Sequence, residues 1–206
     1  MEQLTFLPEL QELRGERKSA RRAQRARALR EAGSCAAVPG QDQAAFDFER
    51  APGGRRMGRV LALPAADAVR ERADGWYRLG CELETSDPER ARAAYERALA
   101  LAPAHADAHL NLGCLEHEAG QLASAEAHYR AALAERADDA TARFDLAVAL
   151  EDQQRADEAR EAYLACLAGD PACAEAHYNL ARLAERSGDR ATALRHLLAY
   201  RRLTAG

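Results

Sequence analysis

Lysine is almost missing from this chain. Lys18 is the only one among 29 basic residues, and arginine supplies the rest. Together with the abundance of alanine, this is the residue bias expected of a high-GC bacterial genome. Aromatic residues are scarce too, at 5%, with a single tryptophan. A core built from a few large side chains is therefore excluded. The 48% hydrophobic content must come largely from alanine, which packs backbones closely and has the best helix propensity. That composition favours many short helices touching at close range. The five cysteines, Cys35, Cys81, Cys114, Cys166 and Cys173, include no C-x-x-C pair and are odd in number. No disulfide framework and no zinc site follow from them, and a reducing compartment fits best. No apolar run approaches the roughly 18 residues of a membrane span. The N-terminus has no apolar stretch of the secretory kind, and Glu2, Glu9, Glu12 and Glu16 argue against a transit peptide. The expectation is a soluble, cytoplasmic protein. Phosphate-binding glycine loops and the G-x-S-x-G nucleophile turn are also missing. Acid pairs such as Glu116 and Glu118 read as solvated helix faces, so no enzyme, metal or cofactor is implied.

What is present is a charge split and a repeat. Residues 1–72 carry a net +4 and residues 73–206 a net −8, the pattern of a basic arm joined to an acidic domain. From about residue 73 a motif recurs roughly every 34 residues. The first copy reads Trp76-x-x-Leu79-Gly80, Leu83, Ala91, Tyr95, Ala98-Leu99 and Pro103. The second reads Ala108-His109-Leu110-Asn111-Leu112-Gly113, Gly120, Ala125, Tyr129 and Ala132-Leu133. The third has Phe144-Asp145-Leu146-Ala147, Ala159, Tyr163, Cys166-Leu167 and Pro171. The fourth has Ala176-His177-Tyr178-Asn179-Leu180-Ala181, Gly188, Ala193 and Leu197. Apolar or small residues fall at helical spacing within each copy. Gly80 and Gly113 remove side chains where paired helices must approach closely, and Gly120 and Gly188 suit turns of positive φ. Pro103 and Pro171 end the second helix. In the shorter first turn, Ser86 or Asp87 is placed to cap the next helix, with Pro88 in its first turn.

This pattern resembles the tetratricopeptide repeat, W-x2-L-G-x2-Y, A-x3-F, P, in four consecutive copies. The resemblance implies an all-α, right-handed α-solenoid in which each repeat's first helix lines a concave groove. One repeat cannot bury its own apolar face, whereas four stacked copies can. The expected organisation is a basic helical arm (1–34), a linker (35–72) and the repeat domain (73–206), divided at 73–105, 106–139, 140–173 and 174–206. Carried over from the family, the groove would be lined by Tyr77, Arg78, Cys81 and Glu84 in the first repeat. Leu110, Asn111, Cys114 and His117 follow in the second, and Phe144, Asp145, Val148 and Asp152 in the third. The fourth adds Tyr178, Asn179, Arg182 and Glu185. Tyr77, Leu110, Phe144 and Tyr178 share one register and form either an apolar stripe for a ligand or packing between helices. Asn111 and Asn179 offer amides to a peptide backbone, although Arg78 and Asp145 interrupt that ladder. A groove without lysine does not reproduce the carboxylate clamp of the chaperone-binding branch. His109 and His177 fall at the tryptophan position and read as packing residues, while His117, His128 and His196 read as scattered.

The resemblance implies a scaffold or adaptor that holds a peptide or partner helix. A second reading comes from the N-terminal third. Leu4, Leu7, Leu10 and Leu13 suggest one apolar edge of a helix whose later part, from Arg14 to Arg30, is strongly basic. Such an arm suits nucleic acid phosphates or an acidic protein surface. The stretch from Phe46-Asp47-Phe48 through Trp76-x-x-Leu79-Gly80 also resembles the linker of bacterial regulators in which a MerR-like domain precedes tetratricopeptide repeats. That resemblance implies transcriptional control, but about 34 residues precede the linker and no helix-turn-helix is recognisable among them. At the other end, Leu194, Leu197, Leu198 and Tyr200 are expected to stay partly exposed. Self-association through this end, or coverage by the N-terminal arm, is the expected consequence.

Overall fold

The computed structural model describes residues 66–205; the basic arm and most of the linker lie outside the described residues. Eight α-helices follow one another: α1 (Ala66–Leu83), α2 (Pro88–Leu101), α3 (Ala106–Glu118), α4 (Leu122–Glu135), α5 (Ala140–Asp152), α6 (Ala156–Gly169), α7 (Ala174–Arg186) and α8 (Arg190–Thr204). Among the described residues there are no strands. Each helix packs on its hairpin partner, the second helix of a pair packs on the first helix of the next, and α3 also touches α5. Contacts that run only between neighbours make the molecule quasi-one-dimensional. The architecture is the all-α solenoid expected from the repeat. α1 begins at Ala66, inside the stretch read as linker. The alanine-rich run from Ala66 to Ala73 favours helix, and Asp67 lies in its first turn, where negative charge suits the helix dipole.

Turn chemistry sets the helix boundaries. Asp87, not Ser86, caps α2 by accepting from the Arg90 backbone N–H at 3.1 Å, with Pro88 opening the helix. Asp139 and Asp189 cap α5 and α8 in the same way, each at 3.0 Å. The Nδ1 of His105 serves α3, at 3.2 Å. Between paired helices, Gly120 has φ +77° and Gly188 φ +80°. The third repeat puts Gln154 at the same place with φ 65°, a left-handed conformation that costs a side-chain-bearing residue.

Tyr95, Tyr129 and Tyr163 occupy one register of the second helices and are 0–1% exposed. Each is flanked by a fully buried alanine one turn earlier, Ala91, Ala125 and Ala159. The ring of Tyr95 lies against Gly80 so closely that a Cβ on that glycine would fall 2.4 Å from its Cε1. At Gly113 the corresponding approach to Tyr129 is 2.8 Å. Two glycines therefore admit two tyrosines, and the helix pairs close upon them.

The tryptophan register behaves differently from the packing role expected of it. Trp76 is half-buried beneath the Arg97 guanidinium, 4.6 Å from its centroid. In the next three repeats the side chain at this position bonds a carbonyl in the preceding loop. His109 Nε2 lies 2.9 Å from Pro103 O, Arg143 reaches Ala137 O, and His177 Nε2 lies 3.3 Å from Pro171 O. These histidines also pair with two of the three read as scattered: Nδ1 of His109 is 2.9 Å from Nδ1 of His128, and His177 meets His196 at the same distance. A carbonyl only accepts, so Nε2 of His109 and of His177 carries the proton.

Candidate binding face

The first helices α1, α3, α5 and α7 present the residues assigned to a groove, and the repeat stacking decides how much of each remains accessible. Leu110 is 0% exposed, Asn111 3%, Val148 5% and Tyr77 7%. Tyr77 packs against the Tyr95 ring at 5.9 Å and the His105 ring at 4.8 Å. Leu110 lies among Ala125, Tyr129 and Ala149. The stripe thus divides: its first half is interior, whereas Phe144 and Tyr178 are half-buried and keep surface. Phe144 rests on Tyr163, with centroids 5.7 Å apart, and Tyr178 on Tyr200, at 5.4 Å. Burial pushes the Tyr178 phenol above its ordinary range against the opposing charge of Arg182.

Polar side chains on this face join one repeat to the next. Asn111 donates from Nδ2 to the hydroxyl of Tyr95 at 3.1 Å and approaches Cys81 Sγ at 3.4 Å. Asn179 does the same to Tyr163, at 2.9 Å. Each amide therefore satisfies a buried phenol of the preceding repeat before it can serve a ligand. The Cys114 thiol faces Asp145 at 3.9 Å, and His117 Nε2 lies 2.7 Å from Asp152. Arg182 donates to Glu151, which also accepts from Tyr163 at 3.2 Å and faces Arg186 at 3.6 Å. Glu151 shares the register of Glu84 and His117, both largely enclosed. It was not among the residues read from the sequence, although the 34-residue period leads from His117 to Glu151 and not to Asp152, which lies one residue out of register. Arg78 and Glu185 are exposed, and Cys81, Cys114, Asp145, Asn179 and Arg182 are half-buried.

On the opposite edge, buried Glu126 accepts from Gln153 at 2.8 Å and from Arg155 at 2.7 Å, with Arg130 at 2.5 Å. Burial would raise its carboxyl, but the hydrogen bonds from Gln153 and Arg155 outweigh it and hold the group below the usual carboxylate range. Among the described residues Cys81, Cys114, Cys166 and Cys173 form no disulfide. Among the described residues no group of three or more histidine, cysteine or acidic side chains is placed to hold a metal. No helix there is long and apolar enough to cross a membrane.

The tetratricopeptide repeat pattern matches residues 82–140, 118–172 and 144–206, overlapping segments that span more than half the chain. The chain belongs to the tetratricopeptide repeat family. Solved structures of MamA share the fold of this tetratricopeptide chain. One is 19% identical with a TM-score of 0.61, covering 68% of this chain and 84% of MamA. MamA 41-end from Desulfovibrio magneticus RS-1 is 23% identical with a TM-score of 0.59, covering 67% and 82%. MamA AMB-1 is 26% identical with a TM-score of 0.58, covering 65% and 74%. No curated protein sequence matches the chain. The four hairpins thus form a tetratricopeptide solenoid, a fold that serves as a protein-interaction scaffold.

Proposed function

We propose that this tetratricopeptide protein is a non-catalytic adaptor, and that it holds a peptide or partner helix on the first-helix face of its third and fourth repeats. The observation that supports this placement is the division of the aromatic stripe. Tyr77 and Leu110 are used up in packing, whereas Phe144 and Tyr178 keep surface beside Asp145, Asn179 and Arg182. Half-buried aromatic anchors on rigid helices, rimmed by polar groups, are the usual makings of a binding hot spot. The network that locks Arg182 to Glu151 and Asn179 to Tyr163 holds that rim in place before any ligand arrives, which lowers the entropic cost of binding.

The test is a comparative capture from the native host with the full chain. Tyr178→Ala combined with Asp145→Arg should lose the partners that the unaltered protein retains. Arg160→Ala, on the exposed surface of α6 where its ion pair with Asp157 is solvent-facing, should retain them. Equal capture by both variants would remove the face from consideration and leave the adaptor reading without a site.

A further inference from the structure

The last helix of the solenoid is its least enclosed element. Only His196 of α8 is buried, held by its ring contact with His177. Leu194 is 58% exposed, Leu198 55%, Leu197 40% and Leu203 38%. Leu197 stands at the register of Tyr95, Tyr129 and Tyr163, which are 0–1% exposed because a following repeat covers them. Asn111 and Asn179 reach Tyr95 and Tyr163 from such a following repeat. α8 has the face for a fifth repeat and none stacks on it among the described residues. The helix is also wholly basic: Arg190, Arg195, Arg201 and Arg202 carry its charge, and no acidic residue lies between Arg190 and Thr204.

We propose that residues 2–13 of the same chain cover this face. Three properties of that segment match α8. It carries Leu4, Leu7, Leu10 and Leu13, apolar partners for the exposed leucines of α8. Its charges are Glu2, Glu9 and Glu12, with no basic residue before Arg14, so it complements the arginine of α8 in sign. It is also tethered. Residues 14–65 separate it from α1, a stretch that spans at most about 170 Å when fully extended. The tether makes the contact intramolecular, so its strength does not depend on protein concentration. The occupant is an acidic, leucine-edged segment of the chain itself. The basic stretch from Arg14 to Arg30 is left outside the contact. This proposal concerns the end of the solenoid and does not depend on the first-helix face.

A photo-crosslinking residue placed at Leu198 of the full chain, at sub-micromolar concentration, tests it. The expected product has monomer mass, and its crosslinked peptide lies within residues 1–13. Crosslinks that join α8 to α8 or to residues 1–13 of another copy, at dimer mass, would overturn the proposal in favour of self-association. Absence of any crosslink to residues 1–13 would overturn it as well. A charge exchange guards against accidental proximity. Glu9→Arg with Glu12→Arg should abolish the monomeric product, and adding Arg201→Glu with Arg202→Glu should restore it. Failure of the exchange to restore the product would mean that the contact is not the one described. Deleting residues 1–13 should also speed backbone hydrogen exchange in residues 193–204 several-fold and leave α3 to α6 unchanged.

Discussion

Replacing Gly80 with alanine places a methyl group where the Tyr95 ring already is. The added Cβ would lie 2.4 Å from Cε1, 2.6 Å from Cδ1 and 2.8 Å from Cζ, whereas carbon atoms rest at about 3.5–4.0 Å. Tyr95 has no room to turn away: it is 0% exposed, and its hydroxyl donates to Cys81 and accepts from Asn111. The two helices must therefore separate, and overpacking of this kind costs about 1–3 kcal/mol. Alanine returns about 1 kcal/mol through helix propensity. Taking the upper part of the range, because the obstacle is a fixed ring, the net loss is about 2 kcal/mol, or about 4–8 °C in melting temperature for a protein of this size. Gly113→Ala should cost less, because its nearest contact is 2.8 Å and the next 3.0 Å. The third repeat carries Ala147 at this register, 0% exposed. There the reverse change, Ala147→Gly, should destabilise by about 1–2 kcal/mol through lost packing and lost propensity. Urea unfolding followed by circular dichroism on the full chain measures all three. A Gly80→Ala protein as stable as the parent, or a larger loss at Gly113 than at Gly80, would refute the account of tyrosines admitted by glycine.

Gln154→Gly should stabilise the protein by about 0.5–1 kcal/mol, since it removes a side chain from a left-handed backbone that Gly120 and Gly188 supply freely; a lower urea midpoint would contradict this. Acidification should weaken the solenoid. Burial first, then His109, holds His128 below its ordinary value of 6.5 despite the opposing pull of Glu116, and burial first, then His177, does the same to His196. Because both are neutral in the fold, their contribution is complete above that value and is lost as pH falls through the folded values. Urea midpoints between about pH 7.5 and pH 5 should fall, and should fall less in a His128→Gln, His196→Gln protein; a flat profile in the parent would count against the paired rings. Burial pushes the phenols of Tyr95 and Tyr129 far above the ordinary tyrosine range. Ultraviolet titration should therefore show these two ionising only as the chain unfolds in alkali, and a tyrosinate signal before unfolding that is smaller in Tyr95→Phe than in the parent would argue against their enclosure.

The repeat, its helices and most of its turns were legible in the sequence because each is a local matter. Apolar spacing, Pro88 at a helix start, glycine at a positive φ and proline after a helix all act within a few residues, and the 34-residue period multiplies them fourfold. The tight approach at Gly80 and Gly113 was legible for the same reason, since only glycine leaves that space. The face was legible as a set of positions but not as an accessible site. Tyr77, Leu110 and Asn111 belong to the same registers as Phe144, Tyr178 and Asn179, yet neighbouring repeats enclose the first three more fully than the second. That difference depends on which side chains the adjacent repeats offer, and no residue's own identity reveals it. The histidine pairs show the limit most clearly. His109 and His128 are separated by a turn and parts of two helices, and only the packing of α3 on α4 brings their ring nitrogens to 2.9 Å. Periodicity places residues on faces; rotamers and the distance between two packed helices decide which of them meet.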